Sequence, residues 1–235
     1  MNYIFKQEII DYNFIRNHST DTILFLHGWG GNKDSFFSTF KLLSTKYNLI
    51  SITMPTISPT REVWNLMDYV QLVRNILSIY NIKNIIIICH SFGFRIACIL
   101  KEFITINKII VTAGAGIKQV NIIKKIENEN NLILLKHKKF EYLYSKIASD
   151  EFKNLSNVNK LSFKNIVNTN TKNMISFKCP MLLFWGKKDT ATKYKFAKMI
   201  KKKNKAKLIS LNSDHFAYLK ENAFFNNSIL EFLCQ

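Results

Sequence analysis

The 235-residue sequence has no stretch of about 18 apolar residues, the length a helix needs to cross a bilayer. Its first residues, Met1-Asn2-Tyr3-Ile4-Phe5-Lys6-Gln7-Glu8, carry charges where a signal peptide has its apolar segment, so a cytoplasmic location is expected. Cysteine is scarce: Cys89, Cys98, Cys179 and Cys234 stand far apart and form no C-x-x-C pair. That argues against a disulfide framework or zinc site and leaves free, mostly buried thiols. Acidic residues are the other shortage, 16 Asp and Glu against 34 Lys and Arg, which gives a net charge of +18. A basic field attracts nucleic acid, anionic membrane or an acidic protein, although a general preference for Lys, Asn and Ile produces the same charge with no partner. There are no internal repeats and no Gly/Ser-rich linker, so residues 1–235 read as a single domain.

What is present is strand and helix in alternation. Residues 3–16 alternate apolar and polar around Asp11, which predicts an antiparallel hairpin at a sheet edge. Short apolar strands are expected at 22–26, 48–53, 108–112, 181–185 and 207–211, separated by helical patterns at 34–47, 62–80, 193–202 and 221–233. Along 62–80, Val63, Leu66, Met67, Val70, Val73 and Leu77 fall on one side. The alternation predicts an α/β protein with a mostly parallel twisted sheet and helices on both faces. It breaks between Lys118 and about Phe177, where helix formers (122–129, 140–148, 151–155, 161–167) occur with no strand pattern. A small helical cap, residues 118–177, laid over one end of the sheet is expected there.

The chain is organised around Ile85-Ile86-Ile87-Ile88-Cys89-His90-Ser91-Phe92-Gly93-Phe94-Arg95. Four β-branched residues in a row suit a central strand covered on both faces, and Ala97, Cys98, Ile99 and Leu100 continue at helical spacing. A strand that turns sharply into a helix holds Ser91 clear of the sheet. The tight backbone needs small residues two before and two after the serine, and Cys89 and Gly93 stand there, a degenerate G-x-S-x-G elbow. A serine hydroxyl barely ionises near neutral pH, so it needs a base, and the base needs an orienter. His215 follows the strand 207–211, and Asp189 follows the strand 181–185. All three sit just past the carboxyl ends of strands, where the crevices of open α/β sheets lie. Asp214 is the competing acid, but adjacent side chains on an extended loop diverge.

These segments resemble the α/β-hydrolase fold family over nearly the whole chain. His27-Gly28-Trp29-Gly30 is similar to the family's H-G-x-G, Trp185-Gly186-Lys187-Lys188-Asp189 to W-G-x-x-D, and Asp214-His215-Phe216 to G-H-F. The resemblance implies a carboxylesterase-like serine hydrolase that cleaves a carboxylic ester or thioester through an acyl-enzyme, with no metal or cofactor. Ser91 would be the nucleophile, His215 the base and Asp189 its orienter, with the backbone N–H groups of Trp29 and Phe92 as the oxyanion hole. A carbon-carbon bond hydrolase using the same triad is the neighbouring chemistry. The departures motivate a third reading, a catalytically silent binding or scaffold protein: Cys89, Phe94 and Asp214 stand where glycine is usual, and 54–59 replaces a D-x-P-G-x-G-like loop. Phe94 is expected to thicken the first helical turn behind the elbow, and Asp214 to raise the His215 pKa if it turns inward.

The substrate expected is a small acyl ester, and the basic charge makes an acidic acyl-carrier protein a candidate partner. Nucleic acid is not expected, because Lys198-Met199-Ile200-Lys201-Lys202-Lys203 has charge without stacking aromatics, and the glycines around 28–31 and 114–116 lack phosphate-loop spacing. His27 and His90 read as packing or hydrogen-bonding elements and Arg95 as a structural ion-pair member. Trp29, Phe92, Trp64 and Trp185 are candidates for an apolar acyl pocket, with core packing the equal alternative for Trp64 and Trp185.

Overall fold

The computed structural model describes residues 1–117 and 155–235. Eight strands, β1 (Asn2–Phe5), β2 (Glu8–Ile15), β3 (Thr22–Leu26), β4 (Asn48–Ile52), β5 (Asn84–His90), β6 (Thr105–Thr112), β7 (Met181–Gly186) and β8 (Lys207–Leu211), form one sheet in the order β1-β2-β4-β3-β5-β6-β7-β8. The β1–β2 and β2–β4 pairs are antiparallel and every other pair is parallel. The helices are α1 (Phe37–Leu43), α2 (Leu66–Ile79), α3 (Phe92–Leu100), α4 (Asn157–Asn168), α5 (Tyr194–Asn204), α6 (Ala217–Lys220) and α7 (Asn222–Leu233).

The sheet has two apolar faces because its central strands β3, β5 and β7 are apolar at nearly every position, and successive side chains point to opposite sides. Leu24, Leu26, Ile87, Cys89, Val111, Leu183 and Trp185 share one buried cluster with residues of α2, α3 and α5. Ile23, Phe25, Ile86, Ile88, Ile110, Leu182 and Phe184 share the other with residues of α1, α6 and α7. Burying an isoleucine side chain contributes on the order of 2 kcal/mol, so the run 85–88, wholly or almost wholly buried, anchors the strand that carries the elbow.

Several boundaries differ from the sequence expectation, each for a local reason. The hairpin turn falls at Lys6-Gln7, both at positive φ (50° and 62°), which suits a tight turn between twisted strands. Asp11 lies inside β2, opposite Asn2. Helix α2 starts at Leu66, because the Asn65 side chain accepts from the Met67 and Asp68 N–H groups while Asp68 accepts from the Asn65 N–H. Val63 and Met67 are therefore exposed, and Tyr69, Leu72 and Ile76 join the buried stripe. Helix α1 is shorter than 34–47, since Asn32 and Ser35 side chains take the backbone N–H groups of Asp34 and Asn32 in turns. Strand β6 reaches back to Thr105, and Lys108 within it caps the Phe232 and Leu233 carbonyls at the end of α7.

The helices expected at 122–129 and 140–148 lie outside the described residues, as does all but the last residue of 151–155. The one expected at 161–167 falls within α4. This helix is pinned to the loop after β4: the Asn159 amide donates to the Thr56 and Ser58 carbonyls and accepts from the Thr60 N–H, and Ser162 Oγ accepts from the Trp64 N–H. The chain then returns to the sheet, burying Ile175 and Phe177.

Candidate active site

The turn from β5 to α3 puts Ser91 at φ 45°, ψ −107°, a strained backbone for a residue with a Cβ. Its N–H donates to the Thr112 carbonyl (3.1 Å), and its own carbonyl accepts from the Phe94 and Ala115 N–H groups (3.1 and 3.0 Å), so neighbours on β6 and α3 hold the strain in place. Helix α3 starts hard against β3. A Cβ on Gly93 would lie 2.2 Å from the Leu26 carbonyl oxygen, which is why the second position after the serine has no side chain.

The departures are accommodated. Phe94 is wholly buried, with its ring against the Cα of Gly114 and stacked on Phe177 (centroids 5.9 Å), so the bulk is taken up behind the elbow. Cys89 is buried with its Sγ 3.6 Å from the Ile110 carbonyl, and burial pushes its thiol well above the usual range. Asp214 does not turn towards the site: it pairs with Lys220 and accepts from the Phe216 N–H, and these partners lower its pKa. The condition under which Asp214 would act on the imidazole, an inward turn, is therefore not met, because a cation six residues on captures the carboxylate.

Asp189 and His215 are brought together by close contact between two loops. The Cα of Gly186 touches the carbonyls of Ser213 and Asp214, where a Cβ would come within 2.3 and 2.1 Å. His215 Nδ1 then lies 2.9 Å from Asp189 Oδ2, and the Asp189 side chain is completely buried. Its other partners come from Thr192, whose N–H donates to Oδ1 (2.8 Å) and whose hydroxyl donates to Oδ2 (2.7 Å). An ionised carboxylate only accepts, so the bond to His215 puts the proton on Nδ1 and leaves Nε2 with a free lone pair. Thr192 was not singled out from the sequence; an acceptor-donor spacing of three residues, Asp-x-x-Thr, is the signal that could have found it.

The next ring to His215 is His90, 4.7 Å away and one residue before Ser91. His90 is buried with Nδ1 donating to the Thr112 carbonyl, and burial, reinforced by His215, holds its pKa well below the usual value. His27 is also buried and is pushed down to about 4 by burial. Its Nε2 accepts from the Met54 N–H (2.8 Å) and its Nδ1 donates to the Gly28 carbonyl (2.6 Å), joining the loops after β3 and β4. Both histidines are structural and neutral near pH 7.

Gly28-Trp29-Gly30-Gly31 forms a turn closed by the Gly31 N–H on the Gly28 carbonyl (3.0 Å), with Gly30 at φ 80°. The Gly28 carbonyl points into the loop, and in a trans peptide the Trp29 N–H points the opposite way. The loop lies beside the serine, since a Cβ on Gly28 would be 3.5 Å from the Ser91 Cβ. Phe92 follows Ser91 as the first residue of α3. Above them is an aromatic row in which Trp29 meets Phe92 (5.7 Å) and Phe163 of α4 (4.6 Å), and Phe92 meets Tyr69 (5.0 Å). Trp64 and Trp185 are fully buried in the core; the Trp185 indole N–H donates to the Thr192 carbonyl and braces the Asp189 loop. Arg95 donates to the Thr169 carbonyl. A separate groove of about 610 Å³, lined by Lys83, Phe103, Ile104 and Cys179 among others, lies at the amino ends of β5 and β6, away from Ser91.

No protein-family model matches the sequence, and no curated protein matches it. Solved structures do. A hydrolase from Pseudomonas aeruginosa PA01 aligns over 99% of this chain and 97% of its own, with TM-score 0.75 at 12% identity. An esterase from Exiguobacterium antarcticum aligns over 97% and 96%, with TM-score 0.74 at 15% identity. A meta-cleavage product hydrolase from Pseudomonas fluorescens IP01 aligns over 99% and 97%, with TM-score 0.68 at 13% identity. The chain has the α/β-hydrolase fold.

Proposed function

We propose that the protein is a serine hydrolase that cleaves a carboxylic ester or thioester through an acyl-enzyme. The observation that carries the reading is the pairing of a strained, strand-end Ser91 with an imidazole whose Nδ1 is tied to a buried carboxylate and whose ring sits beside the elbow. In this reading Ser91 Oγ attacks the carbonyl carbon while His215 Nε2 takes its proton, and Asp189 holds the tautomer and the imidazolium. The N–H groups of Trp29 and Phe92 stabilise the oxyanion, each contributing about 3 kcal/mol. His215 then returns the proton to the leaving alcohol or thiol, and water, deprotonated by the same nitrogen, releases the acid. Residues 118–177 act as the cap, and its described end, α4, brings Phe163 over Trp29 at the acyl side. The esterases among the structural neighbours support this substrate class.

A fluorophosphonate probe tests the constellation without knowledge of the substrate, because it reacts with a serine that is activated by a base and faces an oxyanion hole. Stoichiometric labelling at Ser91 is expected, abolished in Ser91→Ala and slowed by about two orders of magnitude or more in His215→Ala. Folded protein that does not label at Ser91 would overturn the reading.

A further inference from the structure

Half of the net charge sits in 21 residues. Between Lys187 and Lys207 there are ten lysines and one acid, Asp189, so this stretch holds +9 of the chain's +18. All ten lysines are exposed, while the Asp189 side chain is sealed in the site. Among the described residues none of the ten forms an ion pair, whereas Lys6, Lys33, Lys101 and Lys220 each do. A general taste for lysine predicts no such concentration. Favourable interaction with the carboxyl end of a helix accounts for Lys201, Lys202 and Lys203 in the last turn of α5. It does not account for Lys187, Lys188, Lys193, Lys195 and Lys198.

Helix α5 turns Phe196, Ala197 and Ile200 into the core and presents Lys195, Lys198, Met199 and Lys202 outward, at the i, i+3, i+4, i+7 spacing of one stripe. From Lys195 to Lys202 that stripe runs roughly 10 Å at the helical rise. We propose that α5 and the loops on either side of it dock on an anionic lipid surface. The ten cations are all lysines, with no arginine to fork onto a phosphate or a base edge, which suits a diffuse sheet of headgroup charge. The face offers little for bases to stack on, because Phe196 is buried and Tyr194 is half-buried against the core with Lys198 Nζ over its ring (5.3 Å). Its large apolar side chain is Met199, 38% exposed among the lysines, the group that would enter the headgroup region. Lys187 and Lys188 precede Asp189 directly, so the docked face begins beside the loop that carries the acid.

The test is sedimentation of the whole protein with phosphatidylcholine vesicles made with and without phosphatidylserine. Binding about tenfold or more tighter to the anionic vesicles is expected, weakening steeply as salt is raised. The variant carrying Lys198→Gln, Lys201→Gln, Lys202→Gln and Lys203→Gln should lose about tenfold or more of that affinity. A control carrying Lys41→Gln, Lys46→Gln, Lys83→Gln and Lys172→Gln, with the same charge change on exposed lysines elsewhere, should lose far less. If circular dichroism shows the first variant unfolded, Lys198→Gln with Lys202→Gln replaces it, with a loss of a few fold expected. Equal loss in the control, no preference for anionic vesicles, or binding to single-stranded DNA or an acidic protein but not to vesicles would overturn the proposal.

Discussion

A carboxylate with no solvent contact costs several kcal/mol unless donors surround it, and two of the three donors on Asp189 come from Thr192. The threonine hydroxyl has one proton and two acceptors in reach, Asp189 Oδ2 at 2.7 Å and the Ala113 carbonyl at 3.0 Å. The charged oxygen is nearer and takes it. Thr192→Val keeps the shape and removes the donor, so it should weaken the hold on the imidazole by about 1.5–3 kcal/mol, the range for hydrogen bonds to charged groups. The readout is labelling at Ser91, slowed by roughly one to two orders of magnitude, with Thr192→Ser within a few fold of the parent. Labelling of the valine variant at the parent rate would reduce Thr192 to a packing residue. At this scale Ser91, Asp189 and His215 were legible because each follows an apolar strand run. Thr192 was not, since its role exists only once the loop closes on the carboxylate, and the direction of Asp214 was decided by Lys220.

The elements meet at glycines, and the site depends on how closely they approach. Gly93 lets α3 start against the end of β3, and Gly186 lets the β7 loop touch the backbone of residues 213 and 214. Gly186→Ala would put a methyl group about 2.1 Å from the Asp214 carbonyl oxygen, where the backbone itself must move. The displacement falls one residue before His215, so the Asp189–His215 bond should lengthen and labelling at Ser91 should slow by about tenfold or more. Circular dichroism should show the fold retained, because the contact lies at the rim of the sheet. Unchanged labelling would mean that the loop moves without disturbing the imidazole. A glycine among loop residues signals closeness, but the partner it approaches, some 27 residues later in the chain, is set by the parallel pairing of β7 and β8.

For the molecule as a whole, the buried neutral histidines make stability depend on pH. His27 is held at about 4 in the fold against about 6.5 in an unfolded chain, and His90 is shifted in the same direction. Below about pH 6.5 the unfolded state therefore binds more protons than the folded one, so stability is full above that pH and falls as pH drops towards 4. The His27 shift alone corresponds to roughly 3 kcal/mol across that window. Urea unfolding at pH 7.0 and pH 5.0 should show the loss, and His27→Gln should flatten the difference while lowering stability at both values. A slope unchanged by the substitution would show that other groups carry it.

By itself the sequence determined the order of elements and the identity of the candidate site residues, because apolar runs, their alternation with amphipathic stretches and the serine after the strand run at 85–90 are local properties of the chain. It also determined that the protein is strongly basic. Tertiary structure alone decided which groups meet. Glycine contacts brought Asp189 to His215, Gly114 and Phe177 made room for Phe94, and Asn65 set where α2 begins. The packing of Phe196, Ala197 and Ile200 turned Lys195, Lys198 and Lys202 outward on one stripe of α5. The physical reason is the same in each case: a hydrogen bond, a packing contact or an uncompensated charge depends on distances between segments far apart in the chain, and those distances exist only after the sheet has formed.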